Sequence, residues 1–304
     1  MCSEDLNFET LLNYLRQKHH FDFTNYKREG LTRRISYRMQ ELSITDFREY
    51  NDYLEADSEE FVNLFNIIEN NFTYFFRDIA DWDYLSNQII PQIIASKSSQ
   101  EPIRTWSAGC SSGQETYTLA MILAEVLGLE QFRQRVQIYG TDIDQQALNQ
   151  AHQGSYLSNE VTNVPGSLLN KYFERADDRY VFRRDLRSSI LFRRRNMIED
   201  PPLSRIDLLL CRNTLIYFNL EAQTKVLMRF HFSLKDSGFL FLGKSEMVAN
   251  PDLFTSVNLQ HRIFTKVPGG HLNPHLLVKA FKRPQYGSDK LSRLMPGQLS
   301  PFLA

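Results

Sequence analysis

Residues 103–123, IRTWSAGCSSGQETYTLAMIL, constrain this chain more than any other stretch. A short apolar run breaks at Ala108-Gly109-Cys110-Ser111-Ser112-Gly113 and resumes with Tyr117, Ala120, Met121 and Ala124 at helical spacing. That pattern predicts strand, glycine-containing turn and helix, the opening unit of an α/β fold. A turn of this kind lets a ligand approach bare backbone, and the helix start offers unpaired N–H groups at the positive end of its dipole. A plain connection between strand and helix would look the same. The spacing is neither GxGxxG nor GK[ST], so it supports neither a dinucleotide fingerprint nor a phosphate loop.

The following segments extend the sheet. Residues 136–140 (VQIYG) predict a second strand running into Thr141-Asp142-Ile143-Asp144, with Ala147, Leu148 and Ala151 continuing as a helix. An acid at the end of a second strand can accept both hydrogen bonds of a ribose hydroxyl pair, or it can cap the next helix. Asp144 is the better cap, which assigns Asp142 to a ligand. Residues 206–210 (IDLLL) form a central strand ending in Cys211-Arg212-Asn213, where ligands of open α/β sheets bind. Residues 220–234 predict an amphipathic helix, 235–238 a turn, 239–242 another buried strand, and 253–257 with 262–267 a closing antiparallel pair. Between these, 180–183 and 190–193 read as short strands of a small antiparallel insertion, with Asn196 just beyond. Arg175, Arg179, Arg183, Arg184, Arg187, Arg193, Arg194 and Arg195 make that region locally basic, either a solvated surface or a contact for an acidic protein.

Ahead of the sheet, residues 8–19, 30–42, 44–56 and 59–70 carry apolar residues three and four apart, a small helical bundle, with Asp57 or Ser58 capping the last helix. The second helix keeps Leu31, Ile35, Met39 and Leu42 on one stripe and Arg33, Arg34 and Arg38 mostly off it. That is a solvated basic face or a docking surface for an acidic helix. Residues 70–78, NNFTYFFRD, join bundle to sheet. Their rings and Arg77 form either a packed seam with a paired arginine or a carboxylate contact in an interdomain cleft. The expected domains are therefore 1–88 (helical), 89–267 (α/β, with a β-subdomain at about 173–193) and a tail, 268–304, rich in Gly, Pro and His.

Composition narrows the chemistry. A net charge of −1 over 304 residues gives no reason to expect nucleic acid as partner. No apolar run nears the roughly 18 residues of a membrane span, so no membrane insertion is expected. The start MCSEDLNFET lacks the basic and apolar regions of a signal peptide, and the three cysteines, Cys2, Cys110 and Cys211, form no CxxC pair; both point to a cytoplasmic protein with reduced thiols. There is no HExxH and no metal-ligand cluster, His271 and His275 in the tail being isolated, so no metal site is predicted.

Taken together, NNFTYFFRD, WSAGCSSGQETY (106–117), TDID (141–144), Asn196-Met197, CRNTLIYF (211–218) and GFLFLGKSE (238–246) make the chain resemble the CheR chemotaxis receptor methyltransferases over about residues 5–267. The resemblance implies a Rossmann-like class I methyltransferase sheet with a small antiparallel insertion behind an all-α domain. It implies S-adenosyl-L-methionine as methyl donor, S-adenosyl-L-homocysteine as product, and glutamate side chains on the cytoplasmic helical domain of a chemoreceptor as acceptors. By the same resemblance Asn71, Thr73, Arg77, Ala108, Gly109, Gly113, Glu115, Asp142, Asn196, Met197, Arg212 and Asn213 hold the cofactor. Arg77 and Tyr217 serve methyl transfer, and Arg33, Arg34 and Arg38 dock the receptor. Two features depart from the family: Gln114 and Thr116 replace the Glu and Pro of its Gly-Glu-Glu-Pro-Tyr turn, and residues 173–192 are too short for the loop that grips a receptor's carboxy-terminal pentapeptide. The expectation is therefore pentapeptide-independent action, the alternative being a non-catalytic signalling scaffold that keeps the cofactor-binding fold.

Overall fold

Four amphipathic helices open the chain in a computed structural model that describes residues 3–19, 21–57, 59–69, 71–248 and 251–268. Cys2, Ser58, Asn70, His271, His275 and the tail beyond Pro268 lie outside the described residues. Helices α1 (Ser3–His19), α2 (Arg28–Glu41), α3 (Phe47–Ala56) and α4 (Glu60–Glu69) bury the predicted stripes, among them Leu11, Leu15, Leu31, Ile35, Met39, Leu54, Leu64 and Ile68. Asp46 caps α3 by accepting from the Arg48 N–H at 2.8 Å, and Asp57 accepts from the Glu59 N–H at 2.9 Å ahead of α4.

Helices α5 (Ile79–Tyr84) and α6 (Ile90–Ala95), joined through a π-helical turn Leu85–Ile89, belong to the sheet and not to the bundle. Trp82, Leu85, Ile89, Ile90 and Ile93 share a core with Ile103, Leu208 and Phe241. The expected division at residue 88 therefore cuts a continuous helical segment, because apolar spacing identifies a buried face without saying which neighbour buries it.

The strands follow as β1 (Ile103–Ala108), β2 (Val136–Asp142), β3 (Ser155–Leu157), β4 (Phe173–Ala176), β5 (Arg179–Phe182), β6 (Ile190–Arg194), β7 (Ile206–Cys211), β8 (Leu234–Leu242), β9 (Phe254–Asn258) and β10 (Ile263–Lys266), all but β3 and β4 where the sequence pattern put a strand. They build a seven-stranded sheet of order β6-β2-β1-β7-β8-β10-β9, parallel from β6 through β8 and antiparallel at β10 and β9. Every residue of β7 is buried, as a central parallel strand requires. Between the strands run α7 (Gln114–Leu127), α8 (Leu129–Arg135), α9 (Gln145–Gln153), α10 (Gly166–Tyr172), α11 (Arg184–Arg187) and α12 (Leu220–Ser233). The turn expected at 235–238 is absorbed into β8, whose pairing with β7 shifts register between Ile206 and Leu208.

The antiparallel insertion exists, with different members. Its three strands are β3, β5 and β4, in that order. Ile190–Arg194 instead pairs with β2 as the parallel edge strand of the main sheet, from Ile138↔Ile190 to Asp142↔Arg194. Gly140 makes that pairing possible, since a Cβ there would lie 2.6 Å from the Phe192 ring. The subdomain bounds of 173–193 thus include one strand too many and omit β3.

Candidate active site

Where β1, β2 and β7 end, the sheet faces the helical bundle across a cleft of about 1020 Å³ that opens to solvent. The turn after β1 forms its floor. Gly109 sits at φ 76°, and a Cβ there would stand 2.4 Å from Thr214 Oγ1, so only glycine fits between turn and β7 loop. The Gly109 and Cys110 N–H groups donate to Thr141 O at 2.8 and 3.0 Å, and the Ser111 N–H donates to Asp142 Oδ2 at 2.7 Å. These amides are consumed inside the protein. The turn therefore offers a ligand close approach to backbone and not the free donors of a phosphate cradle.

Asp142 does two things. Its carboxylate pins the turn through Ser111 and pins the start of the next helix by accepting from the Asp144 N–H at 2.9 Å, yet it still lines the cleft. Burial raises its pKa to about 6, opposed by those two N–H donors. Asp144 is the cap, accepting from Gln146 N and Ala147 N at 2.7 and 3.2 Å, and it also accepts from Asn71 Nδ2.

Glu115 reaches the cleft from the first turn of α7. It accepts from Ser107 Oγ at 2.8 Å and faces Arg212 Nη1 at 3.9 Å; burial lifts it to about 7 against the pull of Arg212. Arg212, 2% exposed at its side chain, donates through Nη2 to the Arg77 carbonyl and to Asp78 Oδ2, both at 3.0 Å, and lies over the Phe241 ring at 4.7 Å. It is thus the pin that fixes the aromatic connector to the end of β7. Asn213, with φ 60°, has a buried side-chain oxygen that lacks any hydrogen-bond partner among the described residues. An orphaned acceptor in a cleft costs free energy unless a ligand donates to it.

Asn71, Thr73, Arg77, Asn196, Met197 and Tyr217 line the same cleft. The Arg77 guanidinium makes one long bond, to Phe72 O at 3.4 Å, and lies 5.6 Å from the Tyr74 ring. Asn196 Oδ1 is held by the Ile198 N–H at 2.9 Å. Ala108 and Gly113 do not line the cleft: Ala108 is buried at the end of β1, and Gly113 shapes the helix start, where a Cβ would come within 2.9 Å of Ala151. Gln114 and Thr116 are buried. Gln114 Oε1 accepts from Ser112 Oγ at 2.8 Å, while Thr118 Oγ1 donates to Gln114 O and accepts from the Phe76 N–H at 3.2 Å, tying the aromatic connector to α7.

The three arginines of α2 are not equivalent. Arg38 grips Glu60 in a bidentate pair at 2.9 and 2.6 Å, and Tyr50 donates to the same carboxylate at 2.6 Å. Arg34 bonds Ile68 O and stacks 4.5 Å over the Tyr217 ring. Both guanidiniums hold the protein together, which leaves Arg33 as the exposed member of the expected face.

Several site residues escaped the sequence reading. Glu246 accepts from the N–H groups of Asn213, Thr214, Leu215 and Gly243 at 2.7–2.9 Å and so shapes the loop after β7. Tyr26 and Glu69 bring the bundle into the cleft wall. An acid ending an apolar helix directly before NNFTYFFRD is the one local signal that marked Glu69.

Known proteins resemble this chain over most of its length. Residues 71–263 match the CheR methyltransferase SAM-binding domain and residues 6–68 the CheR methyltransferase all-alpha domain. A chemotaxis protein methyltransferase 2 from Vibrio cholerae is 36% identical over 252 residues, 81% of this chain and 86% of the relative. A chemotaxis protein methyltransferase from Borreliella burgdorferi is 33% identical over 222 residues, 71% and 78% respectively. An uncharacterized 104.1 kDa protein from Rhodobacter capsulatus is 33% identical over 250 residues, 82% of this chain but 26% of that much longer protein.

Proposed function

Because this chain belongs to the CheR methyltransferase family, we propose that it esterifies glutamate side chains on the cytoplasmic helical domain of a chemoreceptor, with S-adenosylmethionine as methyl donor. The observation that carries this reading is the convergence in one cleft of a ribose-type acid, an orphaned acceptor and a sparsely bonded guanidinium, Asp142, Asn213 and Arg77. When bound, the cofactor supplies a methyl carbon made electrophilic by its sulfonium. Asp142 receives the ribose, Asn196 and Met197 flank the base, and Glu115 and Asn213 hold the amino-acid end.

No general base is required. A glutamate carboxylate is ionised near neutral pH and is itself the nucleophile. With the donor bound, a carboxylate oxygen would bond to the methyl carbon as the carbon–sulfur bond broke, its electron pair staying on sulfur. The protein's task is to align three atoms and strip water from the carboxylate. Arg77 supplies the free N–H groups that orient the acceptor carboxylate, and Tyr217, held from behind by Arg34, directs its reacting end.

Docking does not require a tethering pentapeptide on this reading, because β4 and β5 are joined by only Asp177 and Asp178. Of the three arginines Arg33, Arg34 and Arg38, Arg33 is the one that offers an exposed charge toward an acidic receptor helix. The test is transfer of labelled methyl to receptor cytoplasmic fragments with and without that peptide, scored as base-labile ester and located by mass spectrometry. Arg77→Ala and Tyr217→Phe should each cut transfer at least about tenfold. Wild-type transfer by both variants, with cofactor affinity intact, would overturn these roles. Absence of ester from the unsubstituted protein would favour a scaffold.

A further inference from the structure

Glu69 is a half-buried acid that the chemistry above leaves unused. It ends α4 and lines the cleft, although it belongs to the helical bundle. One oxygen, Oε1, accepts from the Tyr26 hydroxyl. Tyr26 in turn is fixed on every side: its backbone bridges Phe218, its ring meets the Phe218 ring edge-on at 5.2 Å, Lys27 N donates to Tyr217 O at 2.8 Å, and Asn219 N donates to Asn25 O at 2.9 Å.

The connector places Glu69 at the Asp142 end of the cleft. Two residues later, Asn71 donates to Asp144 and accepts from Ser111 Oγ at 3.2 Å, and the Ser111 N–H is the group that holds Asp142. Tyr26 touches Glu69, Asp142 lines the same cleft, and Asp144 and Arg34 act on its charge from nearby. Burial, with the two aspartates adding to it, lifts Glu69 to about 7. A half-buried carboxyl group with one hydrogen bond among the described residues and acids nearby is costly if nothing comes between the acids.

We infer that Glu69 is a second acid of the nucleoside subsite, donated by the helical bundle and aimed by Tyr26, so that a vicinal hydroxyl pair is bracketed between Glu69 and Asp142. A hydroxyl both donates and accepts, and an ionised carboxylate beside a protonated one supplies both complements. The bundle then takes part in cofactor recognition as well as in docking. This inference rests on the cofactor reading above.

The experiment is a ligand-by-residue cycle on the full chain. Calorimetry compares S-adenosylhomocysteine with its 2′-deoxy and 3′-deoxy analogues, on the unsubstituted protein and on Glu69→Ala, Glu69→Gln and Tyr26→Phe. On the unsubstituted protein at least one deoxy analogue should bind about tenfold or more weakly. That gap should shrink to under about threefold in Glu69→Ala and fall between the two in Tyr26→Phe, where the acid remains but loses its aim. An equal gap in all variants, or Glu69→Ala and Tyr26→Phe binding like the unsubstituted protein, overturns the inference. If Glu69→Ala does not fold, the gaps of Glu69→Gln and Tyr26→Phe decide. No binding of S-adenosylhomocysteine by the unsubstituted protein would fell the cofactor reading itself, a different result from an unchanged gap.

Discussion

Glu115 illustrates how the role in ligand binding proposed above opposes stability. Its carboxyl sits at about 7 in the folded protein against the ordinary 4.5. The folded state therefore binds more protons than the unfolded chain between those values, and the stability Glu115 contributes falls as pH rises through that window. By pH 8 the penalty is on the order of 3 kcal/mol. Glu115→Gln should melt higher than the unsubstituted protein at pH 8, should show no such gain at pH 4.5, and should bind S-adenosylhomocysteine about tenfold or more weakly. Thermal melts at the two pH values with calorimetry at one of them check all three outcomes. Gly109→Ala should lose on the order of 2 kcal/mol by chemical denaturation, since it combines φ 76° with a contact 2.4 Å from Thr214. At this scale legibility followed sequence distance. Asp142 and Asp144 declared themselves because strand end and helix start lie two residues apart. Glu69 did not, because its partner Tyr26 is 43 residues away.

Among the elements, the loop after β7 depends on one carboxylate. Glu246, from the segment following β8, accepts four backbone N–H groups, three of them consecutive at Asn213, Thr214 and Leu215. Glu246→Ala leaves those donors buried and unpaired and should cost about 3 kcal/mol or more, read as a lower urea midpoint at unchanged slope. Glu246→Gln, which keeps the shape and part of the bonding, should cost less. The strands of the main sheet were legible from apolar runs, β3 and β4 of the small sheet were not, and the closing pair at β9 and β10 lies where the pattern put it. Which sheet Ile190–Arg194 joins was not, because a short alternating segment satisfies either; the choice was made by Gly140, whose missing side chain admits Phe192. At the α7 start the two departures are taken up inside the protein: Gln114 accepts from Ser112 Oγ, and Thr116 is fully buried.

Across the whole molecule, bundle and sheet share one core. Phe8, Leu15, Ile35 and Leu64 of the bundle belong to the same buried cluster as Trp106, Leu209, Phe230 and Leu240. The chain should therefore unfold in a single cooperative transition, with calorimetric and van't Hoff enthalpies in agreement; two resolved transitions would contradict the shared core. Sequence patterning separated the two parts correctly in kind and misjudged the seam, since α5 and α6 are helical like the bundle yet packed on the sheet. Around the cleft, Phe76, Asp78, Ser111 and Asn213 all hold left-handed backbone at φ between 48° and 60°. Such conformations persist only where their surroundings enforce them. Amide protons of the connector and the turn should accordingly exchange with solvent sooner than those of β1 and β7, and slow when ligand fills the cleft. Newly made chains awaiting cofactor would then be most open to proteases at the site they exist to serve.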